Sequence, residues 1–269
     1  MEYTVNGVTL KYEAVGARAH GNPSVLLDSA TDLSEGTSWH PKGFTVEELF
    51  DDTTYASFRK AAYDLLIKSW KKAGLLIKNE IFRLDQYHTL IKDFKIHLQA
   101  IEYTKLLSVN DFPISIDRIE RRISEICGLN LVALNPYDNQ AIFHFRIIRP
   151  SLGDNNPLHR DVWLEDYDDC INLYIPIAGS DAQSSLILLP GSHRWPESKI
   201  ERTESGAVIK GVKFNVPAVT AIDGSYEAIR PNPGENQVLV FSPYLIHGGA
   251  VNLNKDSTRI SIELRLWKK

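Results

Sequence analysis

The stretch PLHRDVWLED, residues 157–166, sets His159 and Asp161 two positions apart. In extended backbone, residues so spaced point to one side, so an imidazole and a carboxylate can converge on one ion. Taken alone, an H-x-D triplet is a weak signal, because most such triplets are accidental. A second imidazole, His247, follows the run NQVLVF in a turn with Gly248 and Gly249 beside it. Two histidines and one carboxylate on one side of a metal leave its other positions open. That suits non-haem Fe(II), which must bind O2 and a cosubstrate together. Cys127 and Cys170 fall in neither motif, and this chemistry needs no thiolate.

Arg259 lies twelve residues beyond His247, in TRISIELRLW. Faces alternate cleanly along this run. Arg259, Ser261, Glu263 and Arg265 share one face, and Ile260, Ile262, Leu264 and Leu266 the other. With the aliphatic face on a core, the Arg259 face looks to solvent or into a polar cavity. A guanidinium binds a carboxylate through two parallel N–H groups, and a serine hydroxyl can add a hydrogen bond. Arg259 and Ser261 therefore suit the far carboxylate of a 2-oxoacid whose near end chelates iron.

Together with LLPGSHRWP at 188–196, these residues resemble the Fe(II)/2-oxoglutarate-dependent dioxygenases of the phytanoyl-CoA dioxygenase type, over roughly residues 141–267. The resemblance implies that His159, Asp161 and His247 hold the iron. It implies that Arg259, assisted by Ser261, binds the distal carboxylate of 2-oxoglutarate. The implied reaction is hydroxylation with release of succinate and CO2, because related halogenases carry a small residue where this chain has Asp161. Arg160 stands where the family commonly has glutamine. Asn172 and Tyr174, on one face of CINLYIPI, are candidates for further hydrogen bonds to 2-oxoglutarate. His144 and Arg146, on one face of AIFHFRII, are candidates to line the cavity and help hold the cosubstrate, with a surface role as the alternative. Arg160, Trp163 and Tyr244 are candidate substrate contacts, while His193 reads as structural. His20, His40, His88 and His97 carry no usable pattern.

The elements that must position these residues are also legible. Asn6-Gly7 separates two alternating runs and signals a tight hairpin. Residues 17–43, rich in Gly, Ser, Asp and Pro, read as an irregular, mobile loop. Tyr55, Phe58, Ala62, Leu65, Leu66, Trp70 and Ala73 fall at helix spacing. A second helix is expected near 84–93 and a third at 115–127, striped by Ile116, Ile119, Ile123 and Ile126. From about Leu129 the chain turns to short β-rich runs: LNLVAL, AIFHFRII, CINLYIPI, SSLILL, VKFNV, NQVLVF and TRISIELRLW. Helices first and many short strands after point to an α+β, mainly β chain. The expectation is one domain over 1–269. Residues 1–128 would supply hairpin, loop and supporting helices, and 129–269 a catalytic core of jelly-roll, cupin-like kind, a double-stranded β-helix. Residues 17–43 and 197–225 are candidate lids.

The 269 residues can bury a sizeable core. With 30 basic and 34 acidic residues, the net charge of -4 offers no global field for nucleic acid or anionic membrane. Related repair oxygenases read Arg-x-Asn-x-Thr-x-Arg on the last strand, and here Ser261 and Glu263 replace the middle pair. Two distant cysteines make no disulfide framework, and no run reaches the length of a membrane span. A cytoplasmic enzyme acting on a small polar, sugar-like or natural-product molecule is expected. The competing reading is a cupin-like binding protein without turnover. Oligomeric state is not legible.

Overall fold

The computed structural model describes residues 1–19, 21–28, 30–78, 81–91 and 93–269. The chain opens with the hairpin β1 (Glu2–Val5) and β2 (Val8–Lys11), and Asn6 and Gly7 both take positive φ at its turn. Then come β3 (Arg18–Ala19), β4 (Phe44–Glu48), α1 (Asp52–Lys72), α2 (Phe94–Glu102), β5 (Leu107–Ser108) and α3 (Ile116–Cys127). The β-rich half follows: β6 (Leu131–Val132), β7 (Ile142–Ile148), β8 (Cys170–Ala178), β9 (Ile187–Leu188), β10 (Ile200–Thr203) and β11 (Ala207–Ile209). It continues through β12 (Val212–Phe214), β13 (Val219–Ile222), β14 (Gln237–Phe241), β15 (His247–Gly248) and β16 (Arg259–Lys268).

The major sheet has the antiparallel order β4-β14-β8-β16-β7-β5, with β6 added beside β16. Opposite it lies a second layer of short pieces, β13-β10-β3 and β15-β9, with single bridges adding His159 beside β15 and Ile229 beside β9. This is the mainly β, jelly-roll architecture expected, a double-stranded β-helix with helices against its outer face.

The major sheet buries both faces. Ile260, Ile262, Leu264 and Leu266 pack on the helices with Phe58, Leu66, Trp70, Ile119 and Ile123. Tyr174, Leu239 and Phe241 on the other face meet Leu186, Leu188, Leu245 and Ile246 of the second layer. In α1 the buried stripe Phe58, Ala62, Leu66, Trp70 repeats every fourth residue, and Asp51 caps the helix through the Thr54 N–H. The polar face of β16 is thus turned inward, between the layers.

Three expectations change. The helix expected near 84–93 is a 3-10 run over Leu84–Leu90, and α2 begins only where Asp93 caps the Ile96 N–H. The described residues of 17–43 are largely irregular but docked. Leu33 and Trp39 enter the main core, and the backbone bonds Ser24 to Glu197 and Lys42 to Gly191. Residues 197–225 form the short strands β10 to β13 rather than an irregular loop, and Val216 among them lines the cavity between the layers. Lys92 of the expected helix and His20 and Ser29 of the expected loop lie outside the described residues.

Candidate metal centre and its cavity

His159 and His247 face each other across an antiparallel bridge and exchange both backbone hydrogen bonds at 2.9 Å. Their rings lie 4.4 Å apart between centroids. His159 Nδ1 donates to the Pro157 carbonyl at 2.8 Å, and His247 Nδ1 donates to the Leu245 carbonyl at 2.9 Å. Each backbone acceptor fixes the proton on Nδ1 and leaves Nε2 as a lone pair. Both Nε2 atoms turn to Asp161 Oδ1, at 3.3 and 3.6 Å. Among the described residues these three form the one cluster of potential metal donors, all buried.

The electrostatics keep the donors in their binding forms. Burial raises the Asp161 carboxyl, but the Arg265 guanidinium outweighs it and holds the group well below the usual carboxylate range. Burial and the neighbouring His159 push His247 down to about 4, so it is neutral at pH 7. The close approach of the two rings requires glycine at 248. Its φ is +107°, and a Cβ there would meet the Pro157 carbonyl oxygen at 2.4 Å.

The donors open onto a cavity of about 210 Å³ between the two layers. Its sheet-side floor carries the inward face of β16 and its neighbours, including His144, Arg146, Arg259, Glu263 and Arg265. Arg259 is 2% exposed, lies over the Tyr174 ring at 5.6 Å, and has no hydrogen-bond partner for Nε or Nη1 among the described residues. Ser261 Oγ, two residues on, is also buried without a partner. Behind them Arg230 is buried too, pushed down to about 10 first by burial and then by the nearby Arg259 charge. A buried guanidinium with two idle N–H groups beside an idle hydroxyl is a site for an anion. The donor set of two imidazoles and one carboxylate, open on one side, fits Fe(II). The unpaired Arg259 and Ser261 fit the carboxylate of a chelating 2-oxoacid.

The other candidates divide. Tyr174 and Asn172 line the cavity, but Asn172 Nδ2 donates to Asp161 Oδ2 at 3.0 Å, and the Tyr174 hydroxyl pairs with Ser180 at 2.7 Å. Arg146 is taken by Glu263, with Nη2 at 2.8 Å and Nε at 3.2 Å from the carboxylate. His144 accepts the Leu106 N–H on Nδ1 at 2.9 Å, which puts its proton on Nε2. Arg160, Trp163 and Tyr244 do not line the cavity. The alternation that pairs His159 with Asp161 sends Arg160 to the opposite side, where it is fully buried against Glu197 and the carbonyls of Ser192 and Trp195. Trp163 Nε1 donates to the same Glu197 at 3.1 Å. His193, read as structural, bonds the His40 carbonyl at 2.9 Å. Sequence reasoning missed Arg265 and Glu263 as partners of Asp161 and Arg146, although their shared face with Arg259 was visible. It also missed Tyr167 and Asn155 as lining residues.

No protein-family model matches the chain, and no curated protein matches it. Solved structures do. A non-haem monooxygenase, ThoJ, is 14% identical over 88% of this chain and 77% of its own, with a TM-score of 0.50. AviO1 from Streptomyces viridochromogenes Tue57 is 14% identical over 91% of this chain and 97% of its own, with a TM-score of 0.49. EctD from S. alaskensis, solved with 2-oxoglutarate and 5-hydroxyectoine, is 14% identical over 95% of this chain and 84% of its own, with a TM-score of 0.48. At such identity the likeness to ThoJ speaks to the fold, and nothing further rests on the other two. Among the described residues no helix is long and apolar enough to cross a membrane.

Proposed function

We propose that this chain is an Fe(II)- and 2-oxoglutarate-dependent oxygenase, of phytanoyl-CoA dioxygenase type, that hydroxylates a small polar, sugar-like or natural-product substrate. The observation that carries the reading is one cavity with two complementary features. Two Nε2 lone pairs and Asp161 Oδ1 converge on its wall, and Arg259 offers unpaired donors to it, with the unpaired Ser261 hydroxyl buried two residues along the strand. His159, Asp161 and His247 would hold the iron. Arg259 and Ser261 would hold the far carboxylate of 2-oxoglutarate, with the Tyr174 ring supporting the guanidinium. Bound iron would supply O2 activation coupled to loss of CO2 from 2-oxoglutarate, giving succinate and hydroxylation of a carbon.

The remaining wall favours a polar substrate. His144 presents Nε2–H, and Arg146 keeps Nη1 beyond its pair with Glu263. Tyr167 and Leu164 add apolar surface to the same wall. The two-layer packing keeps bulk water from the donors, which strengthens each charged contact inside.

The test is anaerobic. Fe(II) and then 2-oxoglutarate are added to metal-free protein, and the weak visible charge-transfer band of the chelate is followed. The band is expected in the wild type. Arg259→Ala should raise the 2-oxoglutarate requirement by about tenfold or more, the worth of a charged hydrogen-bond pair. Asp161→Ala should abolish succinate formation. Iron binding without a band removes the 2-oxoglutarate half of the reading, and no iron binding leaves a cupin-like binding protein.

A further inference from the structure

The two oxygens of Asp161 keep different company. Oδ1 faces the Nε2 atoms of His159 and His247. Oδ2 accepts from Arg265 Nη2 at 2.8 Å, Arg265 Nε at 3.3 Å and Asn172 Nδ2 at 3.0 Å. Three N–H donors crowd one oxygen and leave the other free. The anchors are themselves fixed. Arg265 on β16 stands directly across from Asn172 on β8, and the Tyr167 ring covers the guanidinium at 4.4 Å. The ligand comes from a loop, but two central strands of the major sheet set the rotation of its carboxylate.

We propose that Arg265, with Asn172, is a positioning residue that confines Asp161 to single-oxygen ligation and so keeps one metal position free for O2. The inference rests on the oxygenase reading above. An octahedral ion held by three donor atoms keeps three positions, two for the chelating 2-oxoglutarate and one for O2. A carboxylate that turns to bind through both oxygens fills the last one. Arg265 prevents the turn by holding Oδ2 with a charge-assisted fork.

The experiment uses nitric oxide as an O2 surrogate on anaerobic, Fe(II)-loaded protein saturated with 2-oxoglutarate, followed by electron paramagnetic resonance. Arg265→Met is expected to keep the 2-oxoglutarate band and to need about tenfold or more nitric oxide, in line with the effect of outer partners of metal ligands. Arg265→Lys restores one charged donor and should recover most of the wild-type titration. Asn172→Ala should shift it less, in the same direction. Loss of general folding would not spare the band while weakening nitric oxide. An Arg265→Met protein that titrates like the wild type overturns the proposal. Should Arg265→Met not fold, a wild-type titration of Asn172→Ala overturns it. A wild type that binds iron without any band overturns the oxygenase reading itself, whereas a wild-type band with unchanged variants overturns the clamp alone.

Discussion

At the scale of residues, the site works by assigning each polar atom one task. The Pro157 and Leu245 carbonyls take the Nδ1 protons, and this frees both Nε2 atoms. Gly248 lets the backbones approach closely enough for that to happen. Gly248→Ala should therefore push the Pro157 carbonyl away from His159 and loosen the ring. The expected loss is about 10–100-fold in metal affinity, with a fall in stability of about 1–3 kcal/mol from strain at positive φ. Isothermal titration with Co(II) and a denaturant melt would read the two effects, and unchanged Co(II) affinity would contradict the orienting role. The three donors and Arg259 were legible because their spacing and strand alternation are written in the chain. Arg160 was misplaced because nearness to a ligand in sequence was taken as nearness to the cavity, although alternation sends it the other way.

At the scale of elements, the ligand segment is tied to the rest by Arg160. Its guanidinium reaches Glu197, Ser192 and Trp195 in the turn after β9, and Trp163 and Arg202 gather on the same Glu197. The PGSHRWP stretch is thus a socket for the loop that carries His159 and Asp161. Arg160→Ala leaves a buried carboxylate short of its main partner, and such a break costs about 3–5 kcal/mol. A lowered denaturant midpoint is expected, along with weaker Co(II) binding, though Arg160 touches no ligand atom. A midpoint within experimental error of wild type would show that Arg202 and Trp163 suffice. α1 and α3 were readable because their apolar stripes repeat on one face. α2 was not, because the apolar residues of 84–91 imitate a helix that the Asp93 cap then starts anew. β4 was hidden in the same way. Its five residues, Phe44–Glu48, gain strand structure only by pairing with β14 far along the chain, which no local pattern announces.

At the scale of the whole molecule, four histidines in separate places share one property. His97 lies on the buried face of α2 against Tyr87, His144 on the cavity floor, His193 in the socket turn and His247 at the metal centre. Burial, the leading cause for each, pushes all four down to about 4. In the unfolded chain an imidazole takes its proton near pH 6.5. Above about pH 6.5 neither state is protonated, and these groups add no slope. Between about 6.5 and 4 only the unfolded chain binds the protons, so stability falls as pH falls. Below about 4 both states are protonated and the loss is complete. Glu263, pulled to about 2 by Arg146 against the effect of burial, acts over a lower range. Its contribution is full above the usual glutamate value and fades only as pH drops toward 2. The melting temperature of metal-free protein should therefore decline from about pH 6.5, before the carboxylates of the folded chain begin to titrate. His97→Gln, remote from the metal centre, should make that decline shallower by one proton's worth, and equal slopes for the two proteins would show that His97 is already charged in the native fold.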